Sequence, residues 1–530
     1  MSHSPNILFL FTDQQRWDTL GAYGNEYIQT PHLDKLASEG VVFENHYTPS
    51  PLCTPARTCL ASGLTAGYAG CAGNDRALNV DARDTLMSRL SATGYHTQAI
   101  GKLHFANSPY EEAYGFDGCI LSEETRGIRT AANLNQVVYD DYDRFLIQNG
   151  MYGWDKPQEI GYNEIKPVVN PLKKEFHVTQ WCADRTVEWL RTERPRDKPF
   201  FLFTSFVKPH VPYDCPKHLT ELYKPEDMPS PVTSNLDGTH KNPYLKSYRQ
   251  GQEFDLYSEY AAQKALCGYY ANITFIDEQI GRILDELKQQ GLEEDTIILF
   301  SSDHGDMMGD HGLWYKCFGY EGSIHIPLLM KWKGHLQAGT RVSDITSLTD
   351  IYPTLLGLTG QKFDATKRPG GDLLAYINGT SHNDFTVSEM LSYPHYLLHT
   401  RWKNWKYLFH QNGGFEELYD LENDPFEQID LADNQQYHDI IRVIKQQAEG
   451  WIRRYSDSGL ALDENGRLKA LPLKPTFNPG PVQTFSRMPW EVRVPPCDLP
   501  IKGKRPYFWD NIKGDWYTVM EKLFGEKTGQ

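Results

Sequence analysis

The chain has 530 residues, 40% of them apolar and 23% charged, a globular composition that excludes a disordered or fibrous protein. At roughly 150 residues per domain it is too long for one small domain, and two unequal domains satisfy its length. Lys and Arg total 53 against 69 Asp and Glu, so the net charge of −16 argues against a nucleic-acid or anionic-membrane partner held by bulk electrostatics, while leaving room for a small basic pocket.

No run approaches the roughly 20 apolar residues of a membrane-spanning helix. The start, Met1-Ser2-His3-Ser4-Pro5, carries no basic region, and the apolar stretch Ile7 to Phe11 halts at Asp13. That is too short for a secretory leader and reads as a buried strand. The expectation is a cytoplasmic protein, with trimming of a longer chain as the alternative. The nine cysteines (53, 59, 71, 119, 182, 215, 267, 317 and 497) are scattered, odd in number and free of any CxxC pair. Neither a disulfide framework nor a zinc cluster is indicated, and all but Cys53 read mainly as small buried hydrophobes.

Four short apolar runs each end in a polar cluster. Ile7 to Phe11 leads to Asp13-Gln14, Gln98 to Ile100 to Gly101-Lys102-Leu103-His104, Phe200 to Phe203 to Pro209-His210, and Ile297 to Phe300 to Ser302-Asp303-His304-Gly305. Continuous apolar runs separated by helices predict strands buried on both faces of a mostly parallel sheet. One such helix carries Tyr269, Ile273, Ile276, Ile280, Ile283, Leu284 and Leu287 at helical spacing, with Asp277, Glu278 and Arg282 read as outward. Ligands of open α/β sheets bind at the carboxyl ends of strands, so four polar strand ends on one rim predict a site.

After about residue 370 the pattern changes. Phe385–Met390, His395–Trp402, Trp405–Phe409 and Glu416–Leu421 read as short antiparallel strands, followed by an amphipathic helix from about Tyr437 to Tyr455. The predicted organisation is a catalytic α/β domain over 1–370 with a large, mostly parallel central sheet flanked by helices, and a smaller C-terminal α+β domain over 371–470 with a short antiparallel sheet. An arm over 471–530 is rich in Pro but keeps Trp490, Tyr507, Phe508, Trp509 and Trp516. Disordered tails are poor in aromatics, so the arm is expected to wrap on the body or, in a homo-oligomer, on a neighbouring subunit.

The most specific stretch is Leu52-Cys53-Thr54-Pro55-Ala56-Arg57-Thr58-Cys59-Leu60-Ala61-Ser62-Gly63. Pro55 suits a first helical turn, which would place Cys53 at a helix N-terminus, where the dipole favours an anion. The stretch resembles the Cys-x-Pro-x-Arg signature of the type I sulfatases, members of the alkaline phosphatase superfamily, although Ala56 stands where that family usually has Ser. The resemblance implies that Cys53 is oxidised by a formylglycine-generating enzyme to formylglycine, an aldehyde that hydrates to a geminal diol. A single hydroxyl would be left carrying a sulfate ester that is hard to remove. A diol attacks sulfur with one oxygen and expels sulfate by deprotonation of the other.

Further elements follow in the family's order. Thr30-Pro31-His32-Leu33-Asp34-Lys35-Leu36-Ala37 through Phe43 is similar to its lead-in, and Glu417-Leu418-Tyr419-Asp420-Leu421 with Asp424-Pro425 to its C-terminal part. The resemblance implies a metal held by Asp13, Gln14, Cys53 (as formylglycine), Asp303 and His304. Many members carry a second Asp at the place of Gln14, and some carry Asn at that of His304. Mostly hard oxygen donors favour Ca²⁺, with Mg²⁺ and Mn²⁺ as alternatives. Arg57, Lys102 and Lys316 would form a positive pocket for the sulfuryl group, with His104 acting on the diol and His210 on the leaving alkoxide. Asn74, Lys102, His210 and Lys316 are the expected substrate contacts. On an extended segment Lys102 and His104 would face the same way. His311 and His325 read as structural.

Taken singly, each residue has a bland reading: Asp13 as a helix cap, Asp303 as a turn residue, His210 as an exposed loop histidine. Together they imply a sulfatase that cleaves a small-molecule or saccharide sulfate monoester, carbohydrate or aryl, to an alcohol and inorganic sulfate. The alternative is a phosphonate monoester or phosphodiester hydrolase of the same superfamily, which resembles this chain at the metal residues but lacks the Lys102-x-His104 pair. A non-catalytic binding protein is disfavoured because every catalytic element is retained. Tyr139, Tyr142, Tyr152, Trp154 and Tyr162 suit sugar stacking and ordinary packing equally.

Overall fold

The computed structural model describes residues 4–71, 73–74, 79–105, 114–123, 139–154, 165, 167–233, 245, 249, 254, 257–392 and 395–474. The first ten strands are β1 (Asn6–Asp13), β2 (Val41–Tyr47), β3 (His96–Gly101), β4 (Gly118–Leu121), β5 (Pro167–Val169), β6 (Phe200–Pro209), β7 (Tyr213–Cys215), β8 (Thr296–Ser302), β9 (Leu328–Trp332) and β10 (Thr340–Ser347). Eight of them form one sheet in the order β10-β2-β9-β8-β1-β6-β3-β4, and β5 pairs with β7 beside it. Within the large sheet β9 runs antiparallel to β2 and β8, and the other pairings are parallel.

The continuous apolar runs follow from this topology. Ile7, Phe9 and Phe11 pack into the core on one face of the sheet, Leu8 and Leu10 into the core on the other. A strand buried on both sides has no polar face, so its sequence does not alternate. Parallel pairing then aligns the strand ends: Asp13 stands opposite Pro209 of β6, and Thr12 opposite Ser302 of β8. The residues that follow β1, β6 and β8 therefore emerge together on one rim.

The long helix Glu259–Gln289 lies against this sheet through Ile276, Ile280, Ile283 and Leu287. Glu278 is half-buried and Arg282 exposed. Asp277, read from periodicity as outward, is instead buried, and the reason is a capping duty. Its Oδ1 accepts from Leu33 N (2.7 Å) and its Oδ2 from His32 N (3.1 Å). Those N–H groups open the helix Pro31–Ser38, whose own N-cap, Thr30, makes no side-chain capping bond. A carboxylate from another helix thus satisfies donors that would otherwise be orphaned.

The C-terminal strands β11 (Phe385–Ser392), β12 (His395–Trp402), β13 (Trp405–His410) and β14 (Phe415–Asp420) form an antiparallel meander in chain order. Helix His438–Tyr455 covers it, with Ile441, Ile444, Ala448 and Ile452 packed on Val387, Leu398, Tyr407 and Leu418. Leu471 pairs with Asn412 at the edge of this unit. The arm beyond residue 474, with Cys497 and its aromatics, lies outside the described residues, as does Tyr162. Of the other eight cysteines, five are buried, and no disulfide joins any two of them. Among the described residues no helix is long and apolar enough to cross a membrane.

Asp277→Ala should lower stability by about 1–3 kcal/mol, the cost of leaving buried donors unsatisfied. Burial pushes the Asp277 carboxyl up to about 7. A carboxyl raised in the folded state contributes stability below its unfolded pKa and loses it as pH rises through the folded value. The cost of the substitution should therefore be larger at about pH 5 than at about pH 8. Denaturant midpoints at the two pH values check this; a cost that grows with pH would contradict it.

Candidate active site

The helix Cys53–Ser62 starts directly after extended Leu52 and is buried along its whole length. Cys53 occupies its first position. Leu52 provides no side-chain cap, and Asn74 supplies one, its Oδ1 accepting from Thr54 N at 3.1 Å. Asn74 itself is exposed. At the other end Arg368 Nε donates to Ser62 O at 2.8 Å, a cation at the negative pole of the helix dipole.

One turn into this helix, Arg57 projects beneath the strand ends and is wholly buried. Its Nε donates to Asp303 Oδ2 (2.7 Å), and its Nη2 lies 3.5 Å from Asp13 Oδ2. Nη1 donates to Lys102 O (2.9 Å) and Ser205 Oγ (3.0 Å), so one guanidinium ties the ends of β1, β3, β6 and β8 together. Lys102 Nζ forms a second ion pair with Asp13 Oδ2. Burial by itself would raise the Asp13 carboxyl, but Lys102, followed by His210, Arg57 and His304, outweighs it and holds the group well below the usual carboxylate range.

The Lys102–His104 segment is not the straight extended strand expected from the spacing. Gly101 has φ +95° and His104 φ +46°, so the chain turns twice as it leaves β3. A Cβ on Gly101 would stand 2.0 Å from Ser205 O, which only glycine avoids. The turned segment is held by Glu123, whose Oε1 accepts from Leu103 N (2.9 Å) and His104 N (3.0 Å). Glu123 N in turn donates to Asp140 Oδ2 at 2.7 Å.

Asp13, Cys53, Asp303 and His304 converge, each offering a ligand atom within 4.8 Å of the others, and all four are buried. His304 Nδ1 lies 2.9 Å from Gly305 O, an acceptor, so Nδ1 carries the proton and the Nε2 lone pair faces Cys53 Sγ at 3.1 Å. Burial lowers the His304 pKa, which keeps the ring in the neutral form a metal needs. Two carboxylates and an imidazole lone pair aimed at one point fit a divalent cation. Burial, then the Asp13 charge, pushes the unmodified Cys53 thiol up to about 12. An unmodified thiol so placed is protonated near neutrality and poorly suited to act as a nucleophile.

Beside this group lie Gln14, whose N donates to Asp303 Oδ1 at 3.0 Å, and next to it Lys316 and His210. Lys316 Nζ donates to Gln14 Oε1 (2.5 Å) and lies 2.9 Å from His210 Nε2. His210 Nδ1 is 2.9 Å from Val211 O, so Nδ1 carries a proton and Nε2 accepts from the ammonium. Burial would lower Lys316, but Cys53 and Asp13 outweigh it and raise its pKa. The loop carrying His210 is clamped by the buried Lys208–Asp214 ion pair, with Lys208 Nζ also donating to Pro212 O at 2.7 Å.

The expected site residues thus come from the nucleophile helix, four strand ends and two loops, one carrying Asn74 and one carrying Lys316. One acidic residue, Glu123, escaped sequence reasoning because the N–H groups it holds lie 20 and 19 positions away; Asp306 closes the Ser302-Asp303-His304-Gly305-Asp306 element, but its link to Gln14 could not be read there. His311 and His325 are structural as expected. His311 stacks on Tyr320 (4.7 Å), and His325 on Trp17 (4.4 Å) and Tyr47 (4.8 Å), with Nδ1 2.7 Å from Glu321 Oε2. Tyr142 is a packing residue whose OH donates to Phe176 O at 2.8 Å, and Tyr139 and Tyr152 meet edge to face at 5.5 Å.

Comparison with known proteins identifies the family. The sulfatase family model matches residues 5–361, and a model for the C-terminal part of N-sulphoglucosamine sulphohydrolase matches residues 309–453. An arylsulfatase of Clostridium perfringens is 33% identical over 483 residues, covering 86% of this chain and 97% of the relative. The phosphonate monoester hydrolase of Agrobacterium radiobacter superposes with a TM-score of 0.74 at 26% identity, covering 88% of this chain and all of that one. A protein solved in complex with its substrate D-glucosamine-2-N,6-O-disulfate has the same fold, with a TM-score of 0.66 at 22% identity over 86% of this chain and 98% of its own. With a large mixed sheet flanked by helices, a C-terminal antiparallel sheet and a family match across most of its length, the chain belongs to the sulfatase family and is a sulfuric ester hydrolase.

Proposed function

We propose that the chain hydrolyses a carbohydrate or aryl sulfate monoester, using formylglycine made from Cys53 by a maturation enzyme and a Ca²⁺ ion held by Asp13, Gln14, Asp303 and His304. The observation that carries the reading is Cys53 at a helix N-terminus, within ligand distance of two buried carboxylates and an imidazole lone pair. Mg²⁺ and Mn²⁺ are the alternative ions, the latter suited to the nitrogen of His304. A Clostridium relative named arylsulfatase and a structural relative with a disulfated glucosamine support the two substrate classes.

When bound, the cation supplies positive charge to offset the sulfuryl group as the ester bond breaks. The chain's own residues do the remainder. Lys102 and Lys316 bind terminal sulfuryl oxygens, and Arg57 holds Asp13 and Asp303 in register. His104 orients the hydrated aldehyde and takes its proton in the elimination step. His210 would serve the leaving oxygen: its Nε2 accepts from the Lys316 ammonium, and a proton passed from that ammonium through Nε2 to the departing alkoxide would leave the alcohol and a neutral lysine. Asn74, fixed to Thr54 at the mouth of the nucleophile helix, contacts the substrate.

The likeness to a phosphonate monoester hydrolase favours a second reading, hydrolysis of phosphonate monoesters. Lys102→Ala separates the two. A sulfate monoester has three terminal oxygens for cationic contacts, whereas a phosphonate monoester has an organic group in place of one. Loss of Lys102 should lower kcat/KM on an aryl sulfate by about tenfold to a hundredfold more than on the matched aryl phosphonate, the worth of a charge-assisted contact of about 1.5–3 kcal/mol. Equal losses would mean that Lys102 acts only through Asp13, with which it is paired. A wild-type preference for the phosphonate would overturn the sulfatase assignment.

Glu123 offers a second test, aimed at His104. Glu123→Ala frees the two N–H groups that hold the left-handed turn. It should lower kcat by about tenfold or more while changing KM less, each lost contact being worth about 1.5–3 kcal/mol. Glu123→Gln keeps an acceptor oxygen and should retain most of the activity. Wild-type kcat in Glu123→Ala, or equal damage from both variants, would contradict the role given to His104.

A further inference from the structure

Asp306 is completely buried and is not one of the four convergent metal-group residues. Its Oδ2 accepts from Gln14 Nε2 (2.5 Å) and from Tyr213 OH (2.7 Å), and its Oδ1 from Met308 N and Tyr315 N, both at 3.0 Å. One carboxylate therefore joins the residue after β1, the strand after the His210 loop and the residue before Lys316.

The contact with Gln14 has a definite polarity. A side-chain amide has one donor end and one acceptor end, and rotation by half a turn exchanges them at little steric cost. Asp306 only accepts, so it takes the NH₂ end. The Lys316 ammonium only donates, so it takes the Oε1 end at 2.5 Å. In the reversed orientation an oxygen would face a carboxylate and an NH₂ group would face an ammonium. A further bond from Tyr269 OH to Gln14 O (2.6 Å) fixes the Gln14 backbone, whose φ is +68°.

We propose that Asp306 is a positioning residue that sets which atom of the Gln14 amide faces the anion and cation pocket. It thereby makes a glutamine, and not a carboxylate, the working residue at position 14. This rests on the reading of Gln14 as a metal ligand. Asp306 with an acidic residue at 14 would set two carboxylates against one another. Asp306 with Gln14 presents one neutral oxygen donor to the pocket.

The prediction is a reciprocal rescue, read by calcium titration calorimetry on the full chain after chelation, alongside kcat/KM on an aryl sulfate. Asp306→Asn is isosteric and keeps an oxygen for Met308 N and Tyr315 N. Its new NH₂ group attracts Gln14 Oε1, turns the amide and aims an NH₂ at Lys316 and the ion. Calcium affinity should fall at least tenfold. Gln14→Glu in that background restores an acceptor at both ends and should recover affinity to within about threefold of wild type. Gln14→Glu alone should bind calcium no more tightly than wild type, although a carboxylate ordinarily outbinds an amide.

Wild-type affinity in Asp306→Asn, no recovery in a folded double variant, or tighter binding in Gln14→Glu alone would each overturn the proposal. Thermal unfolding of the calcium-free proteins identifies a variant that has failed to fold. Should the Asp306→Asn variants fail, Gln14→Glu alone decides. If wild type itself takes up none of Ca²⁺, Mg²⁺ or Mn²⁺, the metal reading falls, an outcome distinct from wild type binding calcium while the variants show no rescue.

Discussion

The site depends on a single compensation of buried charge. Asp13 and Asp303 sit at the ends of adjacent parallel strands with no solvent access, and Arg57 stands between them with Lys102 closing the group on the Asp13 side. Two carboxylates side by side in a protein interior repel, and each has lost its hydration. Removing one partner from such a group costs about 3–5 kcal/mol. The arrangement explains why Arg belongs to the nucleophile stretch. Its planar fork reaches Asp303, Asp13, a backbone carbonyl and Ser205 at once, which the point charge of a lysine could not do. The same guanidinium that makes two anions tolerable fixes the spacing of the candidate cation ligands Asp13 and Asp303 and, through its own helix, their distance to Cys53.

The C-terminal sheet braces the loop that carries Lys316. The loop bearing Lys316 runs into Tyr320 and Glu321, and both are held by that sheet. Tyr320 OH donates to Glu417 Oε2 at 2.8 Å, and Lys406 lies 2.8 Å from Glu321 and 2.7 Å from Glu427. Burial is the largest influence on both glutamates and raises them. At Glu321 it is outweighed by Lys406 and His325, which hold that carboxyl well below its usual range, while Glu427 is pushed up to about 7. Gly319 admits the His399 ring of β12 so closely that a Cβ would meet Nδ1 at 2.0 Å. A loop pinned at so many points holds Lys316 with little conformational freedom, the form of preorganisation that its proposed electrostatic role requires.

Much of this was legible in the sequence, for reasons that can be named. Strands buried on both faces leave uninterrupted apolar runs, so β1, β6 and β8 announced themselves, and parallel pairing then forced Asp13, His210 and Asp303 onto one rim. The antiparallel meander showed through because its short strands are separated by turns and followed by a helix with one apolar face. What stayed hidden were polar residues whose partners are backbone N–H groups or amides far along the chain. Asp277 looked like a solvent residue because periodicity does not register a helix end 244 positions away. Glu123 belongs to no spacing pattern, the link from Asp306 to Gln14 spans 292 positions, and the turn at His104 depends on a φ that composition does not reveal.

The central claim is that the working group at position 53 is not the thiol. Its most direct test is mass spectrometry of the peptide containing Cys53, made on preparations that differ in the extent of maturation, with aryl sulfate turnover measured on the same samples. The account predicts turnover proportional to the fraction of that peptide carrying an aldehyde, with none in a preparation that is entirely thiol. Full turnover from an all-thiol preparation would contradict it.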